Sequence, residues 1–374
     1  MRAGLDCRRV AGSGGVERYS RNIVRGLLSA GAWGEAVLFS DAALDDITRN
    51  ADVPFRQVSP TAGLRMLHRG GLSLLQRMRS RRLSLMHFLG GDCWYSKGAP
   101  TIVTCHGCGF LYYPQWSFRD DAGLEAAREH LHRVARVADV VIAVSETSRD
   151  ELVRDAGIPL EKTRVIYHGV EDFFRPRPAD EVERALVRLD IRPPYVLYVG
   201  SINKVKNLPA LLEAVAILRK RGERVSLVLA GRVPPGEPWR DPGIDELATS
   251  LGIEDAVVKL GVIESPDTLA CLYSGAAVFA FPSHWESFGL PPLEAMKCGA
   301  PVVASTAACL PEITGGAALS AAPGDCDGLA EAIGRLAQPG KERNEMIQRG
   351  LSRAAEFTWD KAAAETLAVY EDLA

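Results

Sequence analysis

Along most of this chain, short apolar runs rich in Val, Ile and Leu alternate with longer amphipathic stretches. That alternation narrows the fold most, because a strand apolar on both sides has to be covered on both faces. In the first half the runs are AVLFS (36–40), SLMHFL (84–89), TIVTC (101–105), VVIAVS (140–145) and VIYHG (165–169). Helical patterns such as 16–28 and 123–138 lie between them. In the second half they are YVLYVG (195–200), SLVLAG (226–231), VVKLG (257–261), VFAFP (278–282), PVVAS (301–305) and AALSA (317–321). The helical stretches there include 208–221, 267–274 and 328–336. The expected fold class is α/β: two Rossmann-like doubly wound domains facing each other across a cleft.

Residues 171–194 carry proline and charge but no strand pattern, and read as the linker. The expected divisions are an N-terminal domain over 1–172, a linker over 173–193, a C-terminal domain over 194–357 and a final helix over 358–374. In sheets of this kind ligands bind beyond the carboxyl ends of the strands, so the strand-to-helix loops become the candidates for chemistry.

Composition removes several classes. The chain has 374 residues, 47% hydrophobic and 24% charged, with a net charge of −3. That is an ordinary globular balance without the basic excess of a nucleic-acid binder. No signal-peptide core or membrane-length apolar run is visible, so a cytoplasmic protein is expected. The eight cysteines are scattered, and Cys105 and Cys108 have no second pair at zinc-site spacing, so they read as free thiols.

Two loops in the second half stand out. After YVLYVG comes SINKVKN, which places Lys206 at a helix entrance. A lysine there is either a solvated side chain or, acting with helix N–H groups, an anion site. After VFAFP comes SHWESFGLPPLEAM. Phe288, Gly289 and Leu290 offer backbone amides at a tight turn, and Pro291 and Pro292 suit the first helical positions. Glu294 is expected on the first turn, where the dipole favours a carboxylate. Glu286 stands at the strand's exit with no cationic neighbour in the sequence. Amides and a helix start for phosphate, with two carboxylates for hydroxyls, fit a nucleotide sugar.

The segment PSHWESFGLPPLEAMKCGAPVVAS resembles the Glu-x7-Glu signature of the retaining GT-B glycosyltransferases of family 4 (group 1). YVGSINKVKNLPALLEA, LGVIESPDTLACLYSGAAVFAFP, LPEITGGAAL and VIAVSETSRDELVRDAGIPLEKTRVIYHGV resemble further blocks of that family in order. The nearest branch is the one with mannosyltransferases of bacterial polysaccharide assembly. The resemblance implies a GT-B fold with the acceptor on the first domain, the nucleotide sugar on the second, and the last helix crossing back to the first.

It also implies roles at the matching positions. Glu286 contacts donor-sugar hydroxyls, Glu294 the ribose, and the amides of Phe288, Gly289 and Leu290 the sugar and phosphate. Lys206 pairs with the diphosphate as charge develops on it. Relatives often carry an arginine near this lysine; here Val205 and Ser201 occupy those places, and Arg232 is the candidate to help. In AGSGGVERY (11–19), weak as a dinucleotide fingerprint, Gly14 and Gly15 match the family's first loop. His106, at the end of TIVTC, matches a histidine lining the family's cleft, although a lone histidine at a strand end is more often structural.

No cofactor and no metal are expected; Asp325 and Asp327, the one Asp-x-Asp pair, read as helix capping. Residues 53–91 hold no acidic side chain but seven arginines, Arg56, Arg65, Arg69, Arg77, Arg79, Arg81 and Arg82, interleaved with Leu and Met. That stretch suits either an anionic membrane surface or a solvated helix face, and a peripheral membrane location is expected from the former. The resulting expectation is a retaining, metal-independent hexosyltransferase. It would move mannose from GDP-mannose, with UDP-linked hexoses next, to a glycan or lipid-linked acceptor in cell-surface polysaccharide assembly. The rivals are a GT-B-type epimerase or phosphorylase, a non-catalytic nucleotide-sugar binder and an NAD-dependent dehydrogenase.

Overall fold

A computed structural model describes residues 1–10, 14–31, 33–58, 83–91, 93, 98–234 and 242–373. Six of the seven arginines of the basic stretch, Arg65 to Arg82, lie outside the described residues. The remaining one, Arg56, is exposed and faces Glu35 at 3.5 Å. No helix among the described residues is long and apolar enough to cross a membrane.

The chain divides into two compact units. The first comprises Met1–Cys108, Ala122–Gly169 and Phe357–Ala374, and the second Gly109–Asp121 and Val170–Glu356. Residues 109–121, expected with the first domain, thus group with the second. Each unit holds one parallel sheet.

In the first unit the strands are β1 (Arg2–Asp6), β2 (Glu35–Phe39), β3 (Phe55–Val58), β4 (Leu85–Phe88), β5 (Thr101–Cys105), β6 (Val140–Ala143) and β7 (Thr163–Val165). Their order is β3-β2-β1-β4-β5-β6-β7, which reverses direction between β1 and β4. In the second unit they are β8 (Tyr195–Val199), β9 (Ser226–Ala230), β10 (Val257–Gly261), β11 (Val278–Phe281), β12 (Val302–Ser305) and β13 (Leu319–Ala321). The order β10-β9-β8-β11-β12-β13 reverses between β8 and β11. Both sheets are therefore doubly wound, with the switch point where ligands of such sheets bind.

β1 and β3 were not expected from the sequence. β1 reads RAGLD, without a β-branched residue, yet is an interior strand, paired with β2 on one side and β4 on the other. A Cβ on Gly4 would lie 2.6 Å from Met86 Sδ and 2.7 Å from Leu83 Cδ1, so the position selects for small size rather than strand propensity. β3 is an edge strand whose Phe55, Arg56 and Gln57 are exposed. Helix ends differ from the expected ones by a residue or two, as fraying ends do. The linker stretch contains a helix, Ala179–Arg188.

The C-terminal helix Trp359–Leu373 packs against the first helix, Gly15–Ser29. Ala362, Ala363, Val369 and Tyr370 enter the same core as Ile23, Leu27 and Leu38. A Cβ on Gly26 would lie 2.8 Å from the Ala363 Cβ, so the two helices approach to backbone distance. Inside this core runs a polar thread. The Tyr370 hydroxyl meets His87 Nδ1 at 2.7 Å, His87 Nε2 meets Thr104 Oγ1 at 2.8 Å, and Thr104 Oγ1 meets the Tyr19 hydroxyl at 3.0 Å. A buried polar group needs such partners, because an unpaired one costs about 1–3 kcal/mol.

Burial holds three histidines of this unit neutral. It pushes His87 down to about 3 and His106 down to about 4, and takes His168 well below the usual value of 6.5. Unfolded, each binds its proton near 6.5; folded, each resists it until the lower pH. Their contribution to stability is complete above pH 6.5 and is lost as pH falls through the window towards 4. Carboxylates titrate mostly below that window. Urea unfolding followed by Trp fluorescence should lose stability between pH 6.5 and 4 with a slope of up to about 4 kcal/mol per pH unit, three protons' worth. A stability flat across that window would contradict the neutral, buried assignment.

Candidate functional site

The second unit's switch point brings together the two loops singled out in the sequence. β8 and β11 pair in parallel, Val196 opposite Val278 and Leu197 opposite Phe279. Their carboxyl ends therefore leave the sheet side by side. The loop after β8 carries Lys206 and the loop after β11 carries Glu286. Lys206 Nζ donates to Glu286 Oε1 at 2.6 Å, across 80 residues of sequence. The sequence showed no cationic partner for Glu286; the sheet order supplies it. The side chains are 19% and 12% exposed, so the pair is shielded from water yet still reachable. Such a pair interacts more strongly than a surface one. The ammonium also lies 5.8 Å from the centre of the Phe281 ring.

Asn207, which the sequence reading passed over, holds this arrangement in place. It is one of three non-glycine residues with positive φ, at φ 54° and ψ 40°, among the described residues. Its Nδ2 donates to Pro282 O at 3.1 Å and to Pro323 O at 2.6 Å. One side chain thus ties together the loops following β8, β11 and β13, immediately beside Lys206. Asn tolerates the left-handed conformation and carries two amide hydrogens, which is why this residue type suits the place.

Glu294 lies elsewhere than expected. The helix Leu290–Lys297 begins at Leu290, so the two prolines fill its first turn and Glu294 falls on the second. Glu294 is 2% exposed, and its carboxylate accepts a hydrogen bond from the Tyr273 hydroxyl at 2.8 Å. Gly289 caps this helix with φ 99°, a left-handed value, and a Cβ there would meet Leu310 Cδ2 at 3.0 Å. Phe288 is buried, and its carbonyl accepts from Cys309 Sγ at 3.0 Å. Ser201 is exposed, its hydroxyl accepting from Asn203 Nδ2 at 2.9 Å. Arg232 is exposed too, and its carbonyl accepts from Ile202 N at 2.8 Å.

The first unit holds the remaining candidates. Gly14 caps the first helix and Gly15 opens it; a Cβ on Gly15 would meet nothing, whereas one on Gly14 would lie 2.6 Å from Glu17 Oε2. His106 Nε2 lies 2.8 Å from Leu89 O. A carbonyl only accepts, so Nε2 carries the proton, and the neutral ring keeps Nδ1 as an acceptor. Its ring meets Tyr19 edge-on at 4.9 Å, and Tyr19 stacks on His168 at 4.8 Å.

Asp325 caps the helix Cys326–Ala337 by accepting from Gly328 N at 2.8 Å, and Asp327 faces Arg221 at 3.9 Å. Among the described residues no group of three or more His, Cys, Asp or Glu is placed to hold a metal ion. Cys105 and Cys108 are buried, and burial pushes both thiols up to about 12.

Replacing Asn207 by Asp keeps the shape but turns a carboxylate towards two carbonyls. We expect a loss of about 1–3 kcal/mol in urea unfolding. Unchanged stability would show that the three-loop tie carries no weight.

Both halves of the chain resemble known proteins. Residues 13–172 match the family model Glycosyltransferase Family 4, and residues 180–353 match Glycosyl transferases group 1. The chain is 30% identical over 272 residues to O-antigen chain mannosyltransferase B of Escherichia coli, covering 72% of this chain and 70% of that one. It is 34% identical over 244 residues to MMP alpha-(1->4)-mannosyltransferase of Mycolicibacterium hassiacum, covering 64% of this chain and 55% of that one. Among solved structures, Anabaena HepE in complex with UDP-glucose matches with a TM-score of 0.77 at 21% identity, over 99% of this chain and 100% of that one. That likeness establishes the GT-B architecture of two parallel-sheet Rossmann-like domains. With both halves matched in sequence and the whole in fold, the chain belongs to the family 4, group 1 glycosyltransferases.

Proposed function

We propose that this glycosyltransferase is a retaining, metal-independent hexosyltransferase. In this reading it moves mannose from GDP-mannose to a glycan or lipid-linked acceptor in cell-surface polysaccharide assembly. The observation that carries the reading is the Lys206–Glu286 pair at the switch point. The named mannosyltransferase relatives support the choice of sugar.

The leaving group of such a reaction is a nucleoside diphosphate. Lys206 would share its ammonium between Glu286 and the diphosphate, so positive charge is already in place as the sugar–oxygen bond breaks. Glu286, fixed by the same ammonium, would accept hydrogen bonds from donor-sugar hydroxyls. Glu294, oriented by Tyr273, would hold the ribose, and the turn at Phe288, Gly289 and Leu290 would bring backbone amides to the phosphate. His106, neutral and with Nδ1 accepting, would take a hydrogen bond from a sugar hydroxyl. No carboxylate serves as a covalent nucleophile here. The acceptor oxygen would bond to the anomeric carbon on the face that the diphosphate leaves, and a leaving phosphate oxygen would take its proton.

The test is a thermal-shift series with GDP, UDP, dTDP and their sugar conjugates, since a ligand that binds only the folded state raises its melting temperature. A shift selective for GDP and GDP-mannose is expected. Lys206→Ala should abolish it, and Glu286→Ala should fold but lose transfer by about 100-fold or more. A selective shift for another base would replace the donor. An unimpaired Glu286→Ala enzyme would remove the assignment.

A further inference from the structure

The segment Gly109–Asp121 follows β5 in the first unit, three residues beyond His106, yet its contacts place it in the second unit. Within that unit it packs on the two residues preceding Glu286. Gly109 lies flat against Trp285: a Cβ there would come within 2.2 Å of Cε3 and 2.3 Å of Cδ2, so no side chain fits. Tyr113 and Trp116 stack with planes 3° apart and centres at 5.0 Å. The His284 ring lies against both, at 5.8 Å from Tyr113 and 5.2 Å from Trp116. The Tyr113 hydroxyl also donates a long hydrogen bond, 3.4 Å, to His284 O.

The segment is closed on itself. Pro114 opens the short helix Pro114–Ser117, Ser117 Oγ donates to Tyr113 O at 2.8 Å, and Phe110 and Phe118 meet edge-on at 5.6 Å. From His284 the contacts continue to the catalytic pair. His284 N donates to Val205 O at 2.8 Å, the residue before Lys206, and Glu286 two residues on receives the Lys206 ammonium. His284 and Trp285 are thus gripped by the segment on one side and by the loop after β8 on the other. The loop from Pro282 to Gly289 has no regular structure of its own, so what orients Glu286 must come from its neighbours.

We propose that Gly109–Phe118 is a positioning strap: Tyr113 and Trp116 fix His284 and Trp285, so that the Glu286 carboxylate meets the donor sugar in its reacting geometry. Trp116 and Tyr113 are positioning residues that act through His284. The proposal rests on the glycosyltransferase reading for its effect on rate, because a misplacement of about 1 Å at a reacting group can cost on the order of 100-fold.

The experiment compares wild type with Trp116→Ala, Trp116→Phe and Tyr113→Phe by three readouts. These are affinity for GDP and for GDP-mannose by calorimetry, kcat and acceptor KM in steady state, and hydrogen exchange of the amides over 283–289. Trp116→Ala should bind GDP as wild type does, lose affinity for the sugar conjugate, and drop kcat about 10- to 100-fold. Its His284 amide should exchange faster, and Trp116→Phe should restore most of both. Turnover within about twofold of wild type would overturn the proposal. So would a rise in acceptor KM with kcat intact, which would put the ring in contact with the acceptor instead. If wild type binds neither ligand, the donor assignment has failed, while the exchange readout still decides the strap: unchanged protection at His284 overturns it.

Discussion

The reversal of strand order beside β8 is the constraint on which the site rests. A parallel sheet sends every carboxyl end to one edge, and at the reversal the connections before and after it run to opposite faces. The loops after β8 and β11 therefore leave as neighbours with room between them. Into that room the chain places one ammonium and one carboxylate, 2.6 Å apart and mostly out of water. Neither charge would sit there alone without cost, and each supplies the other's counter-ion. The pairing also sets the geometry: a carboxylate held by a fixed ammonium presents its remaining lone pairs in a defined direction.

The first unit solves a different problem. Its core contains polar groups that a hydrophobic interior does not tolerate unpaired, and it satisfies them in a thread from Tyr370 through His87 and Thr104 to Tyr19. Tyr19 then bears on His106 and His168, and His168 stacks on Trp359 at 5.8 Å. The C-terminal helix thus touches the surroundings of His106 through rings and hydroxyls rather than through bulk burial alone.

Much of this was legible in sequence, and the exceptions have physical causes. Runs such as VFAFP and VVIAVS announce buried strands because both faces are apolar. β1 hid because Gly4 is selected for small size against Met86 and Leu83, and β3 because an exposed edge strand needs no apolar pattern. Glu286 and Lys206 were each visible at a strand exit, but their contact depends on strand order, which periodicity does not encode. Glu294 was placed one turn early because the helix starts at Leu290, ahead of the two prolines, which moves Glu294 on to the second turn. Asn207 looked like any polar loop residue until its backbone conformation and two carbonyl partners were seen. The strap FLYYPQWSF drew no reading from the sequence, since nothing local reveals that its partners lie some 170 residues on.

The C-terminal helix has one consequence for how the molecule comes into being. As the chain emerges from a ribosome, all the residues of the second unit, 109–121 and 170–356, are present before Tyr370 is made. The unit that comes first in the sequence cannot close its core until Ala362, Val369 and Tyr370 arrive. Its β-sheet must wait with His87 and Thr104 unsealed while the rest of the polypeptide is completed. In this protein, the order of synthesis and the order of completion run in opposite directions.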